Sequence, residues 1–332
     1  MKTSVALCTY NGERYLLEQL ESIAGQSVPV DEIVICDDRS TDRTPDIIRS
    51  FAATSTVPVR AYFNEENLGS DKNFEKAIEL CSGEIIFLSD QDDVWMPRKM
   101  ERFLAIFDAD PEVGLIFSDA LLVNEELRPT RLRLWQLTFR RRDRKRFQAG
   151  DGLGVLLEKN VITGATMAFR SDLRGLSLPV PQGTDMIHDG WISLMAALYT
   201  KIAMISEPLV KYRQHQGQQL GVLLPKLSVP IRDRHTEFIE NRRRALVRLQ
   251  MLREAFSADL EHQPRLPRAE LLKKIDQAER EVRDSIEHFD RRAAMPASRL
   301  LRLPFVAAEL FTGRYHRHTK GFVSAAMDIF SK

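Results

Sequence analysis

The chain has 332 residues, 43% hydrophobic and 29% charged, with a formal net charge of +1. That length accommodates one large α/β domain with an appended segment, or two ordinary domains, and the composition is that of a well-cored protein. The balanced charge supplies no overall field for a polyanion, so a nucleic-acid partner is not expected. The apolar run at residues 5–8 is too short for a signal-peptide core and reads as a first strand. No stretch reaches the roughly 18 to 20 apolar residues of a membrane span. Cys8, Cys36 and Cys81 form no C-x-x-C pair and read as small core residues in a reducing cytosol.

In chain order, short apolar runs alternate with segments of helical spacing, the pattern of a mostly parallel sheet covered by helices. Strands are predicted over 5–8, 33–36, 59–63, 85–88 and 115–117. Helices are predicted over 13–24, 42–51 and 71–81, the last behind Ser70 as N-cap, and a fourth is opened by Pro97 at its first position. Residues 128–146 break the pattern with nine Arg or Lys against one Asp, and with Trp135 and Phe139 interleaved. They read as a solvated mobile loop, or else as a flap over a site or a contact for an anionic lipid-linked molecule. A strand over 161–169, a helix over 190–199 and a strand over 203–205 follow. Beyond a boundary near 225, two apolar stripes (Ile239 to Leu260 and Leu271 to Phe289) predict antiparallel amphipathic helices joined by the Pro-bearing turn at 263–267.

Ligands of open α/β sheets bind outside the carboxyl ends of the strands. After the first strand comes Thr9-Tyr10-Asn11-Gly12-Glu13, after the second Asp37-Asp38-Arg39-Ser40-Thr41-Asp42, and after the fourth Ser89-Asp90-Gln91-Asp92-Asp93-Val94-Trp95. Carboxylates crowded at one edge repel each other unless a hard cation such as Mg²⁺ or Mn²⁺ joins them, and such a cation also takes phosphate oxygens. Either acidic loop alone reads more readily as a turn or a helix cap; their coincidence at successive strand ends points to a site. A nicotinamide dehydrogenase lacks its Gly-x-Gly-x-x-Gly here, and no P-loop is present. A sugar-nucleotide pyrophosphorylase would open on a glycine-rich basic loop. Two-carboxylate glycoside hydrolysis would leave the nucleotide-type loops unexplained. A non-catalytic binding module is the rival reading.

These residues, with Asn67-Leu68-Gly69, resemble the family 2 glycosyltransferases over roughly residues 3–220. Ser89 to Trp95, Thr163 to Phe169 and Tyr212-Arg213-Gln214-His215 are similar to the rhamnosyltransferase branch of bacterial polysaccharide assembly. The resemblance implies a GT-A nucleotide-diphospho-sugar transferase fold, α/β and Rossmann-like, with an appended C-terminal helical segment. It implies a catalytic domain at 1–225, its donor half about 1–120 and its acceptor half about 121–225, then a helical hairpin and tail at 226–332. The implied donor is a dTDP- or UDP-linked sugar, with dTDP-rhamnose first and a UDP-hexose or N-acetylhexosamine second; the acceptor is a glycan or lipid-linked saccharide. Carried over residue by residue, Thr9, Tyr10, Glu13 and Asp38 line the base pocket, and Asp90 faces the ribose. Asp92 holds Mg²⁺ or Mn²⁺ with Asp93 in support and His215 as a further metal or diphosphate ligand, and Arg213 contacts diphosphate. Asp189 is the general base, or else merely the N-cap of its helix; relatives carry Glu-Asp where this chain has His188-Asp189. Trp95, Gly164, His188 and Trp191 are acceptor or sugar-pocket candidates, the tryptophans equally readable as packing. Basic and bulky apolar residues interleave over 298–332, which suits a cytoplasmic enzyme held at the inner face of the plasma membrane, or a homodimer contact.

Overall fold

The computed structural model describes residues 1–181, 186–215, 234–257, 267–296, 298–319 and 321–330. They fall into two compact units. One holds 1–181 and 186–215 apart from 157–159; the other holds 157–159 and the residues from 234 on. The boundary expected near 225 and the turn expected at 263–266 lie outside the described residues.

In the first unit one mixed sheet has the order β3-β2-β1-β4-β8-β6-β9-β5, with β7 paired to β6. The strands are β1 (Thr3–Thr9), β2 (Glu32–Asp37), β3 (Val59–Phe63), β4 (Ile85–Ser89), β5 (Val94–Trp95), β6 (Val113–Val123), β7 (Pro129–Arg133), β8 (Met167–Arg170) and β9 (Lys201–Arg213). β1 lies parallel between β2 and β4, and every one of its residues is buried, which is why it reads as a continuous apolar run rather than an alternation. β8 runs antiparallel between β4 and β6 and joins the two halves of the sheet. Four helices cover the first half: α1 (Leu16–Ala24), α2 (Thr44–Thr54), α3 (Ser70–Leu80) and α4 (Lys99–Ala109). Each turns an apolar stripe inward, as Leu16, Leu20 and Ile23 do on α1 and Met100, Phe103 and Phe107 on α4.

Local chemistry moves several expected boundaries. α3 begins at Ser70 itself, and Gly69 precedes it at φ 80°, a backbone conformation that a side chain would disfavour. Pro97 stands two residues ahead of α4 and its carbonyl accepts the Ser27 N–H, so it shapes the approach rather than the first helical turn. The strand expected over 161–169 is confined to β8, because Gly164–Thr166 form a 3₁₀ turn that leads into it.

The basic stretch is ordered secondary structure: β7, α5 (Leu134–Leu137) and α6 (Arg141–Gln148). Trp135 and Phe139 are buried and meet edge to face at 5.3 Å between centroids, while Phe117 and Phe147 close the cluster. The Trp135 N–H donates to Asp119 at 3.0 Å. The expectation of a solvated loop was wrong because the two aromatics sit four apart, the Phe139 backbone N–H reaching the Trp135 carbonyl at 3.1 Å just past α5, and their burial outweighs the charges around them. The unit is completed by α7 (Gly152–Glu158) up to Leu156, by α8 (Arg174–Ser177) and by α9 (His188–Tyr199).

In the second unit α10 (Arg234–Ser257) and α11 (Arg268–Ala293) bury Leu249 and Leu252 from one, and Leu271, Ile275, Val282 and Phe289 from the other. α12 (Arg299–Phe311), α13 (Arg314–His318) and α14 (Phe322–Phe330) follow, packed around Val306, Tyr315 and Ala325.

Candidate active site

Three neighbouring strands, β2, β1 and β4, run parallel and end at the same edge, with Thr9 beside Asp37 and Leu7 beside Ser89. Strands about 4.8 Å apart bring their following loops within reach of a single small molecule. The loops border a cleft of 440 Å³, a size typical of small-molecule sites. Thr9, Tyr10, Asp38, Asp90, Asp92, Gly164, His188, Asp189 and His215, all singled out from the sequence, line it. Glu13, Asp93, Trp95, Trp191 and Arg213 do not.

The first loops are held by hydrogen bonds among themselves. The Asp37 carboxylate accepts from Thr9 Oγ1, Ser40 N and Ser40 Oγ, which leaves Asp38 to face the cleft. Asp38 accepts from Leu68 N at 2.7 Å, Gly69 N at 2.9 Å and Asn64 Nδ2 at 2.9 Å, so it clamps the Asn67-Leu68-Gly69 turn onto the site. Gln91 clasps Tyr10 by accepting its N–H and donating to its carbonyl, both at 2.9 Å. A Cβ at Gly12 would fall 2.1 Å from the Gln91 Oε1, so a larger residue there would push that amide off Tyr10. Glu13 instead accepts the Arg43 N–H and ties the first loop to the start of α2.

Acidic groups crowd the loop after β4. Burial, and then the neighbouring Asp92, push the Asp90 carboxyl up to about 7. Asp93 is fully buried; one oxygen accepts the Arg213 backbone N–H, the other has no hydrogen-bond partner among the described residues, and burial with Asp92 and Asp90 nearby lifts its pKa well above the usual range. It braces the loop from beneath. Asp92 turns to the cleft, where its Oδ2 lies 2.7 Å from His215 Nε2.

Arg213, expected on a diphosphate, is 1% exposed, and its guanidinium donates to the carbonyls of Asp92 (2.7 Å) and Glu125 and to the Glu18 carboxylate. It also stacks on Tyr15 at 4.4 Å, and the same ring meets His215 at 4.9 Å. Those bonds turn it away from the cleft, where it locks the acidic loop to β9. Trp95 and Trp191 are core residues, each 2% exposed. Adjacency to a motif placed them in the pocket; their bulk placed them in the core.

On the facing side α9 begins with His188 and Asp189. Ile187 is its N-cap, so Asp189 is an interior first-turn residue and not the cap. Its two oxygens accept from Asn160 Nδ2 and Gly164 N, both at 2.8 Å. Burial raises the Asp189 pKa, against the pull of His188 and of these donors, toward the range useful to a base. The Asp71 Oδ1 accepts both the His188 backbone N–H at 3.0 Å and its Nδ1 at 2.9 Å, and the ring stacks on Phe74 at 4.1 Å. That carboxylate fixes the proton on Nδ1 and leaves Nε2 toward Gly164. Although burial alone would lower it, the bond to Asp71 and the charges of Asp189 and Asp90 raise the His188 pKa. The imidazole titration followed by NMR should therefore have its midpoint above the ordinary 6.5. It should fall in Asp71→Asn; an unchanged midpoint would mean that Asp71 only positions the ring.

Sequence reading missed three members of this arrangement. Asp71 and Asn160 carry no motif and are recognised only through the residues they hold. Lys99 was legible: with Phe103 and Phe107 it repeats every fourth residue, which sets it on the buried face of α4. Its Nζ donates to the Ala165 carbonyl at 2.8 Å and lies 3.8 Å from the centroid of the Trp95 ring. Burial brings its pKa down to about 7, against the pull of Asp93 and Asp90.

Residues 4–170 match the family described as Glycosyl transferase family 2. An uncharacterized protein of Mycobacterium tuberculosis is 28% identical over 221 residues, 64% of this chain and 58% of that protein. An uncharacterized glycosyltransferase of Nostoc sp. is 34% identical over 116 residues, 35% of this chain and 36% of that one. The chain thus spans well under two thirds of the length of these relatives. Among solved structures, Staphylococcus aureus TarS 1–349 in complex with UDP-GlcNAc superimposes with a TM-score of 0.56 at 19% identity, over 86% of this chain and 72% of that one. The likeness is one of fold, the GT-A arrangement of a curled mixed sheet with helices.

Proposed function

Because the chain belongs to the family 2 glycosyltransferases, we propose that it moves a sugar from a nucleoside-diphosphate donor to an acceptor hydroxyl with inversion at the sugar carbon. The observation that carries this reading is the convergence on one cleft of the Asp92–His215 pair, the nucleotide-type loops after β1 and β2, and the Asp189 carboxylate.

Thr9, Tyr10 and Asp38 border the part of the cleft suited to a pyrimidine base, and Asp90 the ribose. Asp92 and His215 are the residues that would hold Mg²⁺ or Mn²⁺. Among the described residues no three His, Cys, Asp or Glu form a metal-holding group, and Asp92 and His215 are the two donors these residues bring to the cleft. A two-donor site fits cations of this kind, which commonly complete their shell with water and substrate phosphates. When bound, the ion neutralises charge on the departing diphosphate. Asp189 takes the proton of the acceptor hydroxyl as that oxygen bonds to the sugar carbon; the bond to the phosphate oxygen breaks, and the diphosphate leaves with the electron pair. His188, held by Asp71, presents an imidazole beside that carboxylate.

For the donor, the wording from Ser89 to Trp95 with Tyr212 to His215 favours rhamnose from dTDP-rhamnose. The acceptor is a glycan or lipid-linked saccharide of cell-surface polysaccharide synthesis. Support for the acceptor comes from a Bacillus subtilis protein provisionally named a teichuronic acid biosynthesis glycosyltransferase, 34% identical over 101 residues, 30% of this chain and 40% of that protein. Residues 1–225 form the catalytic part in this reading, and 226–332 serve attachment. A thermal-shift panel of dTDP-rhamnose, UDP-glucose and UDP-GlcNAc is the test. One of them should raise the melting temperature, more with Mn²⁺ than with EDTA. A UDP-sugar as the best ligand replaces rhamnose in the account; no response to any nucleoside diphosphate overturns it.

A further inference from the structure

The helices α12 and α14 pack on each other through a small core and leave their opposite faces bare. Of the fourteen large apolar side chains exposed among the described residues, nine lie between 300 and 330. On α12 the exposed set is Leu300, Leu301, Leu303, Phe305 and Phe311, spread over more than half of the helix circumference; Phe311 is 94% exposed. On α14 it is Phe322, Val323, Met327 and Phe330. The inward set is Val306 and Leu310 on α12, and Ala325 and Ile329 on α14, the last two outside the arc of their helix that its exposed residues cover.

Charge sorts the same way. The described residues from 299 to 330 contain two carboxylates, and both turn inward. Glu309 is 1% exposed against His288 (2.6 Å), Arg291 and Arg314, and Asp328 accepts from Arg292 and the Tyr315 hydroxyl at 2.6 Å. The exposed polar residues of this segment are Arg299, Thr312, His316 and Arg317. Bulky apolar side chains beside the exposed cations Arg299 and Arg317, the latter also 3.6 Å from Asp284 of α11, with both carboxylates of the segment withdrawn, complement an anionic bilayer surface. A protein partner would instead favour a mixed polar rim around the apolar centre. No helix among the described residues is long and apolar enough to cross a membrane, so insertion is limited to the interface.

We propose that the α12–α14 face docks the protein peripherally on an anionic lipid bilayer, the phenylalanine and leucine side chains entering the headgroup–acyl boundary and Arg299 and Arg317 meeting lipid phosphates. This inference stands on the surface alone and is independent of the sugar-transfer reading, since its test uses no donor. Flotation of the full chain with vesicles of phosphatidylglycerol and phosphatidylcholine should recover bound protein at low salt. Vesicles of phosphatidylcholine alone should recover several-fold less, and high salt should release part of the bound fraction. The triple variant Leu300→Ser, Phe311→Ser, Phe322→Ser alters only exposed positions and should keep its melting temperature while binding at least tenfold more weakly. Arg299→Gln should weaken binding mainly at low salt. No binding by the unaltered chain, or equal binding by the triple variant, overturns the proposal. So does a dimer, seen by light scattering without lipid, that the triple variant splits to monomers; that result assigns the face to a second copy.

Discussion

Asp189→Asn is expected to bind donor as the unaltered protein does and to transfer sugar roughly 10² to 10⁴ times more slowly, the usual worth of a positioned general base. The carboxylate accepts hydrogen bonds from Gly164 N and Asn160 Nδ2, and an amide oxygen can keep one of these, so the start of α9 should stay in place. What the amide cannot do at neutral pH is accept the acceptor's proton. Single-turnover transfer, with donor affinity measured alongside, separates the two effects. A rate near that of the unaltered enzyme would leave Asp189 with the structural task of anchoring the turn at Gly164. Loss of donor binding together with rate would move it to the donor side of the cleft.

Asp92→Ala is expected to remove metal-dependent donor binding and, with it, transfer. The side chain is cleft-facing and 15% exposed, and its carboxylate pairs with His215, so truncation opens no apolar cavity and should leave the fold intact. Asp93 cannot substitute, because it is buried beneath the loop with one oxygen engaged by the Arg213 N–H. Titration of donor in the presence of Mn²⁺ should show affinity falling to the metal-free level in the variant. Unchanged affinity would contradict the assignment of Asp92 to the cation.

The parallel half of the sheet was legible because its strands are buried on both faces and therefore appear as apolar runs of the right length, and the loops after β1, β2 and β4 could be placed by topology alone. The long helix α11 was equally plain, since Leu271, Ile275, Val282 and Phe289 repeat at helical spacing. Sequence adjacency proved a weaker guide inside the motifs. Asp92 and Asp93 are neighbours, but only Asp92 lines the cleft, while Asp93 is fully buried and bound to the Arg213 backbone N–H. Arg213 and His215 divide as well, although residues two apart share a side of a strand: β9 ends at Arg213, which is bound behind the acidic loop, and His215 lies beyond the strand, across from Asp92. Long-range partners such as Asp71 for His188 leave no local trace, being separated from what they hold by more than a hundred residues. The basic stretch misled for a different reason: nine cations in nineteen positions obscured the two aromatics that order it.

Release of nucleoside diphosphate from the donor that best stabilises the protein, measured with Mn²⁺ and without acceptor, tests the central claim most directly. A transferase whose acceptor is missing hands the sugar slowly to water, so the account predicts a steady release that EDTA abolishes, that Mn²⁺ restores, and that Asp92→Ala lacks. Donor that binds with metal yet stays intact, at enzyme concentrations where a single turnover would be seen, would contradict it and leave a sugar-nucleotide-binding module on a transferase fold.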